Sequence, residues 1–246
     1  MKEETLNEIM NPKLNIVALI PARSGSKGIK NKNIKTYKGI PLLAHSIKIA
    51  LESKFIKDTY VSTDSIQYQE IALKYNAKIT PLRPACISDD LSPDIDTFLH
   101  FIKMFSDTNL PLPDLIIHLR PTYPNRVIKI IDDCIQTFIN NYDKYDSLRS
   151  VVPISKTPFK MYFIQNNNLI PYFKEYNNYI EPFNQARQIF PNSYLHNGYI
   201  DIIKTSYLLN NNLLSGNNIY PYIMEEIEIN DIDNIDDFKN SENKKI

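Results

Sequence analysis

Apolar residues recur along the chain in two rhythms, and the rhythms alternate. Residues 14–22 are apolar through their middle, as expected of a strand buried on both faces of a sheet. Residues 41–54 change to a helical period, with Leu43, Ile47, Ala50 and Leu51 on one face. A short strand with a polar tip follows at 59–64, a helix at 65–75 and a third strand at 78–81. Residues 93–105 return to helical spacing through Ile95, Phe98, Leu99, Ile102 and Phe105. A buried strand at 114–119, an amphipathic helix at 125–140 and a strand at 146–154 continue the alternation. After 195 come a strand at 199–203, a helix to about 212, a last strand at 227–229, an acidic turn and a short terminal helix. Strands alternating with helices predict an α/β fold: a three-layer, mostly parallel open sheet with right-handed crossovers. Residues 1–13 read as a flexible leader and 14–246 as one domain. Between about 155 and 195 the rhythm breaks into aromatics, asparagines and prolines, which predicts an inserted arm of hairpins. An arm so rich in aromatics exposes apolar surface and calls for a partner subunit.

The loop after the first strand holds the densest chemistry. It contains Arg23, Ser24, Gly25, Ser26, Lys27, Gly28 and Lys32, and leads to a helix start at Pro41. Glycine tolerates positive φ and leaves room for a close backbone approach, so Gly25 and Gly28 suit a turn around phosphate. Successive N–H groups in such a turn form an anion-binding concavity, and Arg23, Lys27 and Lys32 add fixed positive charge. The loop matches neither G-x-x-x-x-G-K-[ST] nor G-x-G-x-x-G. A solvated basic turn is the plainer alternative, but ligands of open α/β sheets bind at the carboxyl ends of strands, where this loop sits.

Composition narrows the function classes. Lys plus Arg and Asp plus Glu number 28 each among 246 residues, so the formal net charge is zero. That balance argues against a general binder of nucleic acid or of membrane surfaces. No apolar stretch is long enough to span a membrane. The polar, acidic amino terminus does not resemble a secretory signal, and a cytoplasmic protein is expected. Cys86 and Cys134 read as free buried thiols. His45, His100 and His118 read as packing residues, and no Ser-His-Asp or histidine metal cluster is evident.

Several blocks then fall into an order that resembles a known family. Arg23-Ser24-Gly25-Ser26-Lys27-Gly28 with Lys32-Asn33 is similar to the amino-terminal signature of the CMP-sialic acid synthetases, or acylneuraminate cytidylyltransferases. Arg83-Pro84 with Asp90 and Pro93 resembles the second block, and Leu119 to Arg126 resembles L-Q-P-T-S-P-L-R. Pro158-Phe159-Lys160 is similar to H-P-x-K, and Arg187-Gln188 with Pro191 and Asn197-Gly198 to R-Q-x-x-P…N-G. Asp231-Ile232-Asp233, with Asp237, resembles the closing I-D-I-D-T-x-x-D.

The resemblance implies a nucleotide-diphospho-sugar transferase-like, Rossmann-type fold with a dimerisation arm. It implies transfer of CMP from CTP to the anomeric hydroxyl of a nine-carbon 2-keto sugar acid, with Mg2+, in a homodimer. Arg23, Lys32, Asp231 and Asp233 are the implied catalytic residues, the last two as metal ligands. Two carboxylates spaced two apart in extended chain share a face, and a cation relieves their repulsion; an acidic solvated turn is the alternative. The implied CTP-binding set is Arg23, Ser24, Gly25, Ser26, Lys27, Lys32, Asn33, Arg83, Ser92 and Asp94. Asn33 would otherwise cap the loop, Arg83 lie on the surface, and Asp94 sit in a helix's first turn. The implied sugar-binding set is Arg120, Thr122, Lys160, Arg187, Asn197 and Asp201. Four positions depart from the family pattern: Arg120 for glutamine, Tyr123 for a small residue, Thr157 for histidine and Asp201 for tyrosine. These departures lie on the sugar side and point to a legionaminic- or pseudaminic-type acid in place of N-acetylneuraminate. The rivals are a 3-deoxy-manno-octulosonate cytidylyltransferase, whose loop usually reads R-x-x-S-T-R-L-P-x-K, a non-catalytic sugar-nucleotide binding protein, and an interaction protein built on the aromatic arm.

Overall fold

A computed structural model describes residues 14–26, 28–225, 232 and 234–243. The chain forms two compact units. Of the described residues, the first takes those within 14–150, 198–222 and 232–243, and the second takes 151–197 and 223–225.

β1 (Ile16–Pro21) is buried from Ile16 to Ile20, as its uninterrupted apolar pattern requires. A two-strand hairpin follows, β2 (Thr36–Tyr37) and β3 (Ile40–Pro41). Its turn residues Lys38 and Gly39 both have positive φ, 44° and 86°. That is the backbone twist a two-residue hairpin connection demands. α1 (Leu42–Glu52) buries Leu43, Ile47 and Ala50, but Leu51 is 46% exposed. The buried stripe is centred on Leu43, Ser46 and Ala50, so Leu51 falls at its margin in the last turn.

β4 (Asp58–Ser62), α2 (Ile66–Lys74) and β5 (Lys78–Ile79) come next. α3 (Asp94–Asp107) lays Phe98, Phe101, Ile102 and Phe105 onto a core that includes Val17, Leu19, Tyr60 and Ile116. Ring centroids lie 5.1–5.2 Å apart there, edge-on between Phe101 and Phe105 and tilted between Tyr60 and Phe101. Each such fully buried side chain contributes roughly 1.5–3 kcal/mol. β6 (Leu115–His118) precedes α4 (Ile128–Asn140), which begins three residues later than the spacing predicts. The intervening chain is held out of the helix by Arg126, which is only 8% exposed. Arg126 donates to the carbonyls of Tyr123 at 2.5 Å and Arg120 at 3.0 Å and to that of Tyr199 at 2.7 Å.

β7 (Ser147–Ile154) leads into the second unit, where β8 (Tyr162–Gln165) pairs antiparallel with β9 (Asn168–Pro171), and β10 (Glu175–Tyr176) with β11 (Tyr179–Ile180). Phe159 packs with Phe173, Tyr176 and Phe190 at 4.3–5.0 Å between ring centroids. β12 (Ser193–Lys204) is far longer than the expected 199–203, because its first residues mix polar and apolar side chains, with Tyr194 and Leu195 exposed, and carry no strand rhythm. α5 (Thr205–Asn211), β13 (Ile219–Ile223) and α6 (Ile235–Asn243) complete the described elements. β13 went unforeseen because its central proline demotes it as a strand; the strand expected at 227–229 lies outside the described residues.

The main sheet has seven strands in the order β13-β7-β12-β6-β1-β4-β5. β1 runs parallel to β4 and β6, β4 parallel to β5, and β12 antiparallel to β6. The expected α/β architecture with a mostly parallel core is therefore present. A smaller core joins Ile29, Tyr37 and Leu42 to Ile232 and Phe238, so the carboxyl-terminal chain packs on the hairpin behind the first loop. Cys134 is buried, but Cys86 is exposed, contrary to expectation, in a short helical turn whose residues are not covered. Among the described residues no helix is long and apolar enough to cross a membrane.

Candidate active site

A cavity of about 440 Å3 opens in the first unit around the residues that follow β1 and β6 and the amino end of α3. In an open α/β sheet the parallel strands deliver their following loops to one edge, and ligands bind there. Arg23, Ser26, Lys32, Asn33, Arg83, Ser92, Asp94, Arg120 and Thr122 all line it. Ser24 and Gly25 lie in the same loop, and Lys27 falls outside the described residues.

The loop is tied down at several points. Ala22 N–H donates to the Ser62 carbonyl at 2.8 Å, extending the β1–β4 ladder by one rung. Asp64, just beyond β4, accepts from Ser24 N–H at 2.8 Å and from Ser24 Oγ at 2.9 Å. Buried Asn33 donates its amide to the Arg23 carbonyl at 3.0 Å. It therefore fills the loop-holding role that was the alternative to base reading, while still lining the cavity. Gly25 does not supply the left-handed turn expected of it. Its φ is not positive and an added Cβ would meet nothing closer than Arg23 Nη1 at 4.0 Å. The left-handed residue is Asn31, with φ of 54°.

The cations around the cavity differ in how they are held. Arg23 pairs with Asp90 at 2.5 Å. Lys32 Nζ donates to the Ile232 carbonyl at 2.7 Å, and Ile232 N–H donates to the Thr122 carbonyl at 2.9 Å. Ile232 is fully buried between two cavity-lining residues. Asp231 and Asp233, which flank it in sequence, lie outside the described residues, and no group of metal-binding side chains occurs among the described ones.

Arg83 is not a surface arginine. It is 7% exposed, and Nη1 donates to Thr97 Oγ1 at 2.7 Å. Its buried Nε and Nη2 have no hydrogen-bond partner. Burial lowers its affinity for protons below the ordinary arginine value, with Asp64 opposing that effect. A desolvated guanidinium at a cavity wall suits a carbonyl or phosphate oxygen. Ser92 is occupied by Asp89 at 2.9 Å, and Asp94 opens α3 as its first residue.

The far wall is carried by the 120–126 loop that Arg126 organises. Arg120 reaches Asp201 at 2.7 Å and Asp94 at 3.4 Å. Asp201 is buried beside the cavity and is not among its lining residues. His118, expected to serve packing alone, does pack edge-on against Phe98 at 5.1 Å, but it also lines the cavity. In the second unit Arg187 is exposed and lines a separate cavity of about 400 Å3 with Thr157 and Phe190. Lys160 is exposed at the end of a short helical turn, and buried Asn197 donates to Met224 Sδ at 3.1 Å.

Sequence reasoning gave no site role to Asp64, Thr97, His118 or Arg149, and named Asp90 only within the second block. Asp64 carried a usable signal, a carboxylate at the carboxyl tip of a parallel strand; the others acquire meaning only through contacts distant in sequence.

A family model described as Cytidylyltransferase matches residues 17–193. The chain belongs to the cytidylyltransferase family. It is 32% identical over 91% of its length to post-translational flagellin modification protein B of Campylobacter coli, spanning 92% of that protein. It is 31% identical, with the same shares covered, to the CMP-N,N'-diacetyllegionaminic acid synthase of Campylobacter jejuni. It is 30% identical over 91% of its length to the N-acylneuraminate cytidylyltransferase of Escherichia coli and spans only half of that longer protein. A solved CMP:2-keto-3-deoxy-manno-octonic acid synthetase complexed with CTP shares the fold, with a TM-score of 0.66, 15% identity and coverage of 93% of this chain and 97% of its own. This cytidylyltransferase is thus a nucleotidyltransferase, and the loop after β1 lies within the matched region.

Proposed function

We propose that this cytidylyltransferase transfers CMP from CTP to the anomeric hydroxyl of a nonulosonic acid, releasing pyrophosphate. The observation that carries the reading is the cavity that gathers Arg23, Lys32 and the buried Arg83 at the strand ends. The anomeric oxygen bonds to the α-phosphorus, the bond from the α-phosphorus to the β-bridging oxygen breaks, and that electron pair leaves with pyrophosphate. The hydroxyl proton passes to solvent or a base. Chemistry of this kind needs positioning and charge stabilisation more than covalent participation. Arg23 and Lys32 hold the triphosphate, with Arg23 exchanging Asp90 for phosphate oxygens. Arg83, which lines the cavity, presents its guanidinium to the nucleotide.

Mg2+ is the expected cofactor. Asp231 and Asp233 would hold it, as a hard cation prefers carboxylate and phosphate oxygens, and it would neutralise charge developing on the phosphates. The anchoring of Ile232 by Lys32 and Thr122 supports that assignment. The acceptor is a legionaminic- or pseudaminic-type acid. The arginine at 120 and the likeness to a legionaminic acid synthase support it. The enzyme works in the cytoplasm, where CTP is made. It is a homodimer, supported by the exposed apolar residues of the second unit, among them Ile164, Leu169 and Tyr172 at 60–76%.

Pyrophosphate release from CTP, measured with a panel of sugar acids, tests the reading. Legionaminic- or pseudaminic-type acids should give the highest kcat/KM, and EDTA or Asp231→Ala should abolish release. Preference for N-acetylneuraminate would overturn the acceptor assignment. Preference for 3-deoxy-manno-octulosonate, or no release with any acid, would overturn the function.

A further inference from the structure

Asp201 lies on β12 directly opposite His118 of β6 in the antiparallel ladder. Its side chain is 4% exposed, and both carboxylate oxygens are engaged. Oδ2 accepts from Arg120 Nη1 at 2.7 Å, and Oδ1 accepts from Arg149 Nε at 3.0 Å. His118 Nδ1 stands 3.7 Å from Oδ2. Arg149 is braced in turn, donating Nη2 to Ser215 Oγ at 3.0 Å. Arg120 is therefore gripped from behind by a buried carboxylate. Its cavity side is held far more loosely. Nη2 meets Asp94 Oδ2 at 3.4 Å, and the Asp94 side chain is 55% exposed.

Two guanidinium charges share one buried carboxylate. A buried charge is tolerated when it is paired and hydrogen-bonded, and the fixed partner fixes its geometry. The cluster retains positive charge, directed through Arg120 to the cavity wall. We propose that Asp201 is a positioning residue, which aims Arg120 at the carboxylate of the acceptor acid while Arg149 locks Asp201 in place. The acceptor carboxylate takes the Nη2 position that Asp94 holds weakly. Asp201 itself does not touch the acceptor, because it is buried and does not line the cavity. The two departures from the family pattern are then one compensated change. Arginine in place of glutamine brings a charge into the wall, and aspartate in place of tyrosine anchors it from behind while shared with Arg149. This inference rests on the function proposed above.

Steady-state kinetics of Asp201→Asn, Arg120→Gln and the double variant test it, with both substrates varied. Removing the charge of Asp201 leaves Arg120 misaimed, and misplacement of this kind costs about tenfold or more. Asp201→Asn should therefore raise the KM for the sugar acid by about tenfold, with the KM for CTP unchanged. Asp201→Glu should recover part of the loss. The double variant should be no worse than Arg120→Gln alone, because Asp201 acts through Arg120. Arg149→Gln, on a more exposed side chain, should raise the acceptor KM alone without risk to folding. Multiplicative losses in the double variant, equal rises in both KM values, or an unchanged acceptor KM in Arg149→Gln would overturn the proposal while leaving the function standing. No pyrophosphate release by the unchanged enzyme with any acid would overturn both.

Discussion

Replacing Arg83 with methionine should make the ligand-free protein slightly more stable and cripple its response to CTP. The guanidinium is 7% exposed, and two of its nitrogens, Nε and Nη2, lack partners. Each buried, unsatisfied donor costs about 1–3 kcal/mol. Against this, the substitution loses the 2.7 Å bond to Thr97 and the attraction of Asp64. Those losses are worth about 2 and about 1 kcal/mol respectively. The net gain is about 1 kcal/mol, or roughly 2–4 °C in melting temperature for a chain of this size. Binding moves the other way. A charged hydrogen bond to the nucleotide is worth about 2 kcal/mol, a loss of roughly 30-fold in affinity. At a CTP concentration of about 100 Kd the unchanged protein gains about 2.7 kcal/mol from ligand, whereas the variant gains about 0.9 kcal/mol. Thermal melts with and without CTP and Mg2+ read both effects. A variant that melts earlier than the unchanged protein yet keeps the whole CTP-induced rise would refute the reasoning, since Arg83 would then be structural.

Ser24→Ala removes the 2.9 Å bond to Asp64 and should weaken CTP binding by about 1.5 kcal/mol, roughly tenfold, with little change in global melting; isothermal titration checks it, and an unaltered Kd would show that Asp64 does not hold the loop. Tyr37→Phe strips a buried hydroxyl that bridges Ser241 at 2.7–2.8 Å and Asn125 at 2.8 Å, and should cost about 1–2 kcal/mol in urea unfolding. A loss within error would mean that the carboxyl-terminal helix does not depend on that bridge. Burial holds the His45 and His100 imidazoles below their ordinary value of 6.5. The unfolded chain therefore binds more protons just below that value, so stability is complete above about pH 6.5 and falls as the pH drops through the folded-state values. Denaturant melts across pH 5–8 should show that slope, and His45→Gln should flatten it.

The alternation of strand and helix was legible from the chain alone, because a buried parallel strand and a one-faced helix each impose their own period on the residues that form them. The loop of Arg23 to Lys32 stood out by its charge directly after an apolar strand, and Arg23, Ser26 and Lys32 line the cavity there. The ordered blocks placed the chain in its family without any coordinates. Local pattern could not supply pairings between residues far apart in sequence. β12 lies between β7 and β6 and reaches back to Ser193, a length that its own side chains do not announce. Arg83 and Arg120 look alike in the sequence. One is buried with donors to spare and the other is clamped by Asp201, 81 residues away. Secondary structure follows from periods of two and 3.6 residues written into the chain, whereas the burial and charge state of a side chain depend on which distant segment folds over it.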